Sequence, residues 1–354
     1  MAGVYISYPF CAQKCTYCNF ASGVFPRELE TQYRDVLLSE LRSTEWPWTP
    51  ETVYLGGGTP SQMATEALVS ILSTIPGRPW LEATIEAAPG NLNREKILAW
   101  REAGINRVSL GVQSFVQKEL ARTGRRHTAE IVEQEIALLR GAGIESISVD
   151  LIAGLPGQTA ESWGQSLDWV ERLAVPHVSI YMLEVDEDSR LGRELLVLGS
   201  RYGAGDVPDD DAIADFYETA VERLARLGIE RYEISNFARA GFESRHNLKY
   251  WKRDAYLGFG ADAHSFDGTM RWQNPEAASD YVAAPAAIAR VPAEALSEKF
   301  FLGLRLRDGV EGKAFPEVVE RFVADGLLER FGDRVRLTPR GVLLSNEVFA
   351  EFVP

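Results

Sequence analysis

The chain has 354 residues, 45% hydrophobic and 25% charged, an ordinary globular balance that allows one large domain and one or two small ones. Its 37 Lys and Arg stand against 51 Asp and Glu, a net charge of −14, which argues against nucleic acid as a partner because affinity there comes largely from cations on phosphate. No apolar run reaches the roughly 18–20 residues of a membrane span, and Met1-Ala2-Gly3-Val4-Tyr5 lacks the basic segment of a secretory signal, so an integral membrane protein is not expected.

Val4–Ser7 is apolar and β-prone and leads straight into Cys11, Cys15 and Cys18, a C-x3-C-x2-C run holding all 3 cysteines. Three thiols so close, with nothing elsewhere to pair with, read as metal ligands in a compartment that keeps thiols reduced, the cytoplasm. A structural zinc wants a fourth ligand, and the loop has no His or carboxylate to give one. A cubane iron–sulfur cluster takes one thiolate per iron, so three leave one iron open to a small molecule.

Helix periodicity follows over Glu30–Ser43, where Tyr33, Val36, Leu37 and Leu41 fall on one stripe. Thr52–Leu55 reads as a strand ending in Gly56-Gly57-Gly58-Thr59-Pro60, with a helix from about Gln62 to Leu72. Further strands are predicted at Leu81–Ala87, Arg107–Val112, Ser146–Ile152 and His177–Leu183, and helices at Arg94–Ala103, Ala129–Gly141 and Ala160–Leu173. Six strand–helix alternations with short links call for a parallel sheet. They suggest an α/β fold, a partial (β/α)6 TIM-like barrel more than a closed eightfold one, though an open doubly wound sheet shares the pattern. In such barrels chemistry gathers at the C-terminal ends of the strands. The cysteine loop follows the first strand and the glycine run the second; Glu86 and Gln113 end the third and fourth. Asp150 lies inside the apolar fifth strand, where a carboxylate needs a partner.

Beyond Leu183 the stretch Glu184–Asp211 is acidic and irregular, and Asp211–Leu227 reads as an amphipathic helix. If Arg245–Trp251 is helical, His246 and Tyr250 share one face, as do Asn247 and Trp251. An imidazole among aromatics suits a flat iron macrocycle, and suits a hydrogen-bonded core histidine as well. The tail (helices at Ala295–Leu306 and Phe315–Asp325, a strand at Val335–Leu337, a helix at Val342–Phe352) is winged-helix-like α+β without a basic face, and reads as a packing or partner-docking module. Arg122 to Arg126, with His127, is the best local basic patch.

With its aromatic before the third cysteine, the C-x3-C-x2-C run resembles the signature of the radical S-adenosylmethionine (SAM) superfamily. Tyr5-Ile6-Ser7-Tyr8-Pro9-Phe10 ahead of Cys11 resembles one branch of it, oxygen-independent coproporphyrinogen III oxidase and the HemW-type haem chaperones, over about Tyr5 to Phe266. The resemblance implies a radical SAM barrel with a [4Fe-4S] cluster on Cys11, Cys15 and Cys18. It implies SAM contacts at Tyr5, Tyr17, Gly57, Gly58, Thr59, Glu86, Gln113, Arg125 and Asp150, with Arg122 and Arg126 as rivals for the role of Arg125. His246-Asn247-x-x-Tyr250-Trp251 resembles the haem-binding motif of the chaperones. Gly258 to Ser265 resembles the closing glycine-rich strand, with Asp262 where Gly is expected and His264 as a second, more structural histidine. Ser7 stands where His is common and Ala88 where Asn is.

Three units are implied: a radical SAM core over 1–200, the haem-motif region and closing elements over 201–290, and the C-terminal module over 291–354. The favoured function is a haem chaperone that binds cluster, SAM and haem and passes haem to acceptor haemoproteins, among them respiratory-chain ones. An electron donor is a further partner; transient membrane association and a homodimer fit the same reading. The alternatives are coproporphyrinogen III oxidase and a radical SAM enzyme on an unrelated substrate. Against the oxidase, Phe20 occupies the place of its additional Cys, and only ten residues precede Cys11 where the oxidase carries a longer extension. No residue is singled out as catalytic, and whether SAM is cleaved is left open.

Overall fold

In the structure, a computed structural model that describes residues 2–285 and 289–353, strands and helices alternate from the first described residue. β1 (Ala2–Tyr8), β2 (Thr52–Gly57), β3 (Glu82–Ala87), β4 (Arg107–Gln113), β5 (Ser146–Ala153) and β6 (His177–Met182) lie side by side, all parallel and in chain order. The crossovers between them are α1 (Arg27–Ser43), α2 (Thr65–Thr74), α3 (Arg94–Glu102), the pair α4 (Gln117–Thr123) and α5 (Ala129–Gly141), and α6 (Ala160–Leu173). Side chains fix the helix starts: Thr128 accepts the N–H of Ile131, and Thr159 with Ser162 forms a reciprocal cap, each satisfying donors the helix cannot.

The strands carry a strict alternation that divides two environments. Val4, Ile6, Val53, Leu55, Ile85, Val108, Leu110, Ile147, Val149, Leu151, Val178 and Ile180 are at most 1% exposed and form the core with the helices. Among the intervening residues are Ser7, Thr52, Glu86, Ser109, Ser148, Asp150 and Ser179. Closed eight-stranded barrels fill their interior with branched apolar side chains. This one is lined with hydroxyls and carboxylates.

After β6 come α7 (Arg190–Leu196), α8 (Asp210–Arg226), β7 (Glu230–Arg231) and β8 (Asn236–Ala238); β8 returns antiparallel to β6. Helix α9 (Arg245–Trp251) then leads into β9 (Ala255–Phe259), which pairs in parallel with β1 on its other side. β10 (His264–Phe266), β11 (Met270–Gln273) and, beyond α10 (Ala278–Ala283), β12 (Val291–Pro292) extend that edge antiparallel. The tail packs α11 (Ala295–Leu304), β13 (Val310–Glu311), α12 (Pro316–Ala324), β14 (Leu328–Phe331), β15 (Arg334–Leu337), α13 (Pro339–Leu343) and α14 (Ser345–Ala350) around a small antiparallel sheet.

The predicted sixfold partial barrel and small α+β tail are therefore present, with corrections. β9 is a seventh parallel strand. The second helix starts at Thr65, because Pro60–Gln62 forms a separate 3-10 turn. The irregular stretch after Leu183 contains α7 and a 3-10 segment, Arg201–Asp206. α4 and the short strand β8 were not predicted, and the closing helix is two, broken at Leu344. Asp262 adopts φ 59°, a left-handed conformation that glycine takes without penalty. Its N–H donates to Pro275 and its carboxylate accepts from Gln273 at 2.6 Å, so the turn keeps its glycine-like path.

Candidate functional site

The cysteine loop lies over the C-terminal ends of β1 and β2, held there by backbone. Cys11 and Gly23 exchange bonds with each other's neighbourhood, Cys11 N–H to the Gly23 carbonyl and Gly23 N–H to that of Pro9; Thr59 N–H donates to Phe10 at 2.9 Å and Gly58 N–H to Tyr8 at 2.8 Å. The glycine run thus acts on the loop. A Cβ on Gly58 would stand 2.7 Å from the Phe10 carbonyl oxygen, and one on Gly57, at φ 106°, 3.3 Å from Ser7 Oγ. The close approach these glycines allow is to the cysteine loop's own backbone, not only to a ligand.

All three thiols are half-buried. Burial pushes the Cys11 thiol up, while the Thr59 and Ser22 hydroxyls bonded to it pull the other way. Among the described residues no three His, Cys, Asp or Glu side chains gather around one point to hold a single ion. A cubane does not require that, since each thiolate ligates a different iron. Three thiols on one loop held by backbone bonds, with Thr59 and Ser22 hydroxyls beside Cys11, fit such a cluster.

Behind the loop sits Arg125. It donates to the Gly111 carbonyl at 2.7 Å; burial disfavours its charge, but Tyr17 and Cys15 beside it more than compensate and hold the guanidinium firmly protonated. Its neighbours serve elsewhere: Arg122 pairs with Asp206, Arg126 is exposed and His127 is buried. Only Arg125 of this run turns to the cysteines, and the basic patch is dispersed.

Below the loop, the interior brings Glu86 and Asp150 together. Tyr54 donates to Glu86 at 2.9 Å; burial, with Asp150 nearby, pushes the Glu86 carboxyl up to about 7 despite that bond and one from Gly57 N–H. Asp150 has the partners its position demands: Ser179 donates at 2.7 Å, Ser109 at 2.9 Å and Ser148 at 3.1 Å. Burial still outweighs them, and its carboxyl is raised. Tyr5 stacks on Tyr54 with centroids 6.1 Å apart. Tyr181, 44% exposed, faces the same carboxylates. Gln113 closes β4 at φ 70°, beside Gly111. Tyr54, Tyr181 and the serine trio escaped the sequence reading, although the polar members of each alternating strand carried the signal.

The His-Asn-x-x-Tyr-Trp run is helical as expected, but it lies at the opposite end of the barrel. Ser244 caps α9, and Glu82, the first residue of β3, accepts from the N–H groups of Arg245 and His246, both at 2.9 Å. His246 is wholly buried. One ring nitrogen meets Thr52 Oγ1 at 2.8 Å, the other Tyr250 OH at 2.8 Å, and the ring stacks against Tyr54. In this conformation His246 has no free nitrogen for an iron. Tyr250 packs edge-on against Tyr256, and Trp251 lies beneath the Arg305 guanidinium. Asn247 is half-buried. His264 stands exposed at the start of β10 and satisfies neither nitrogen of His246.

A second polar chain links the two ends. Asp150 accepts from Ser148, whose hydroxyl meets His177 Nδ1 at 2.7 Å; His177 Nε2 meets Tyr232 OH at 2.9 Å, and Tyr232 accepts from the N–H of Ser244, the cap of α9.

Residues 5–170 match the Radical SAM superfamily and residues 292–344 the HemN C-terminal domain. The chain is 34% identical to the protein named "Heme chaperone HemW" of Lactococcus lactis, over 99% of this chain and 96% of that protein. It is 34% identical to that of Bacillus subtilis over 100% and 99%, and 36% identical to that of Mycobacterium tuberculosis over 98% and 93%. Among solved structures, coproporphyrinogen III oxidase (HemN) from Escherichia coli superposes with a TM-score of 0.86, covering 99% of this chain and 89% of that one at 20% identity, a likeness of fold.

Proposed function

Since the chain belongs to the radical SAM family of HemW haem chaperones, we propose that it binds a [4Fe-4S] cluster, SAM and haem and delivers haem to acceptor haemoproteins. Cys11, Cys15 and Cys18 hold the cluster. Arg125 and the Gly57–Thr59 segment fix the loop that carries it; Tyr5, Tyr17, Glu86, Gln113 and Asp150 line the room beside it for SAM. A cluster held on Cys11, Cys15 and Cys18 would supply one-electron chemistry beside the SAM room. The Glu86 carboxyl, hydrogen-bonded by Tyr54 and raised to about 7 by burial, offers a negative charge to a cationic ligand once deprotonated, and Asp150 accepts hydroxyls in the way Ser109, Ser148 and Ser179 already occupy it.

The observation that carries the chaperone reading is the separation of the two candidate sites. β1 has seven residues, about 20 Å at roughly 3.3 Å each, and it spans from the α9 end to the cysteine loop. A macrocycle held on α9 lies at the far end of β1 from the cysteine loop, with Tyr54 standing between His246 and the Glu86 carboxyl. That suits haem as cargo and does not suit a porphyrin as the substrate of a radical made at the mouth.

Anaerobic titration of the reconstituted protein with haem, beside a His246→Ala variant, tests this. Saturable binding is expected, with a Soret band altered by the variant as His246 gives up its bonds to Thr52 and Tyr250 for the iron, followed by transfer to an apo-haemoprotein. Binding of coproporphyrinogen with its decarboxylation would overturn the reading.

A further inference from the structure

Arg305, just past the end of α11, reaches back onto the motif helix. Its guanidinium lies 4.3 Å from the centroid of the Trp251 ring, and a terminal nitrogen stands 3.5 Å from Glu233 Oε2. Glu233 is completely buried; its Oε1 accepts from Ser235 N–H and Asn236 Nδ2, while Oε2 has no hydrogen bond. Two buried donors, Trp251 Nε1 and Arg305 Nε, have no acceptor. Buried polar groups are nearly always paired, and an arginine fully engaged by a carboxylate makes short forked bonds of about 2.7–2.9 Å. Arg305 is parked beside Glu233 without forming them.

The helix that carries it is anchored independently. Glu298 accepts from Arg253, just beyond α9, at 2.8 Å and from Arg271 at 2.7 Å. Arg305 can therefore change partners while α11 stays docked. Its side chain is 24% exposed and Glu233 is sealed, so a ligand meets the arginine first. The Glu233 carboxyl is raised by burial, and without its cation it can remain as the neutral acid.

We propose that Arg305 is the carboxylate receptor of the haem site: a carboxylate on the edge of the incoming macrocycle takes the guanidinium from Glu233 and accepts from Arg305 and the Trp251 indole N–H. This rests on the reading of α9 as the haem-binding helix. A macrocycle stacked on the aromatic residues of α9 brings its carboxylated edge to a guanidinium that already lies on one of them, and arginine's planar fork matches a carboxylate where a lysine would not.

The test uses the full-length protein titrated with haem and with haem dimethyl ester, which keeps the ring and iron but lacks both negative charges. Wild type is expected to bind haem at least tenfold more tightly than the ester, and Arg305→Ala to bind the two alike. Glu233→Gln, which frees the guanidinium, is expected to tighten haem severalfold, a gain that damage to the fold would not give. If Arg305→Ala keeps the wild-type ratio of haem to ester, the proposal is overturned, even where both affinities fall. His246→Ala and Trp251→Phe address the reading beneath it: if both leave haem affinity and spectrum unchanged while haem still binds, haem sits elsewhere and Arg305 has no carboxylate to receive.

Discussion

Tyr54 donates its hydroxyl to Glu86 at 2.9 Å from the same ring that stacks on His246. One side chain of β2 therefore touches the carboxylate facing the cysteine-loop end of the barrel and the imidazole that seals the other. The two candidate sites share a wall, and the shared residues are where substitutions report on both.

Glu86 sets a pH dependence. Its carboxyl titrates at about 7, so it is largely neutral at pH 6 and charged at pH 8. The groups facing it are Tyr54 from β2, Asp150 from β5, Tyr5 from β1, Tyr181 from β6 and Tyr250 from α9; all five are raised by loss of solvent, the tyrosines also by neighbouring carboxylates and tyrosines, and the tyrosines stay uncharged through this range. A sulfonium ligand favours the carboxylate, so SAM affinity rises from pH 6 to pH 8, by up to about tenfold per unit below the pKa. Calorimetric titration of wild type and Glu86→Gln measures this, and the variant loses the slope. The sign for stability is opposite. A raised carboxyl costs stability as pH climbs from its unfolded value to about 7, so Glu86→Gln raises the apo-protein's melting temperature at pH 8 more than at pH 5.

His246 gives the reverse trend. Burial and the Lys249 charge push it down to about 3 from 6.5. A depressed histidine contributes stability that is full above pH 6.5 and is lost as pH falls towards 3. The stability gap between wild type and His246→Asn, from urea unfolding, is expected to narrow between pH 7 and pH 5. A constant gap would mean that the ring stays neutral in both states.

Gly58→Ala forces a Cβ to 2.7 Å from the Phe10 carbonyl, so the backbone of the cysteine loop must shift. All three ligands remain, yet iron content after reconstitution should fall by half or more. Gly164→Ala is the control. It lies in α6 with nothing within 4 Å of the new Cβ, and should stabilise by about 0.5–1 kcal/mol through helix propensity with iron content unchanged.

Cys11→Ala, Cys15→Ala and Cys18→Ala should each remove the visible absorption of a reconstituted cluster while leaving far-ultraviolet circular dichroism intact, because the thiols are half-buried on a loop outside the core. Undiminished iron in any one of them would exclude that cysteine as a ligand.

Much of this was legible in the sequence. The cysteine spacing, the six alternations and the helical register of His246 and Tyr250 are local patterns, and local patterns survive into the fold. What escaped depends on partners distant in the chain. Nothing near Asp150 announces that Ser109 and Ser179 will meet it from adjacent strands, and nothing near His246 announces Thr52, 194 residues away. The glycine run was legible as a place of close approach; what it approaches in the fold includes Ser7 to Phe10, beside the room for a ligand. β8 was missed for another reason: three residues give too short a window for any period to show.

The large sheet ends on β7 at one side and β12 at the other, each only two residues long. Unpaired strand edges invite pairing with another chain, and proteins blunt them with short length, charge and proline. Here one margin is Glu230-Arg231, which sets charges on it, and the other is Val291-Pro292, where the proline has no N–H to offer. Twelve strands are thus finished off so that a second copy gains little by continuing the ladder. Edge-to-edge strand pairing between copies is thereby disfavoured, and aggregation on partial unfolding should begin where those two short strands peel away and bare the longer strands behind them.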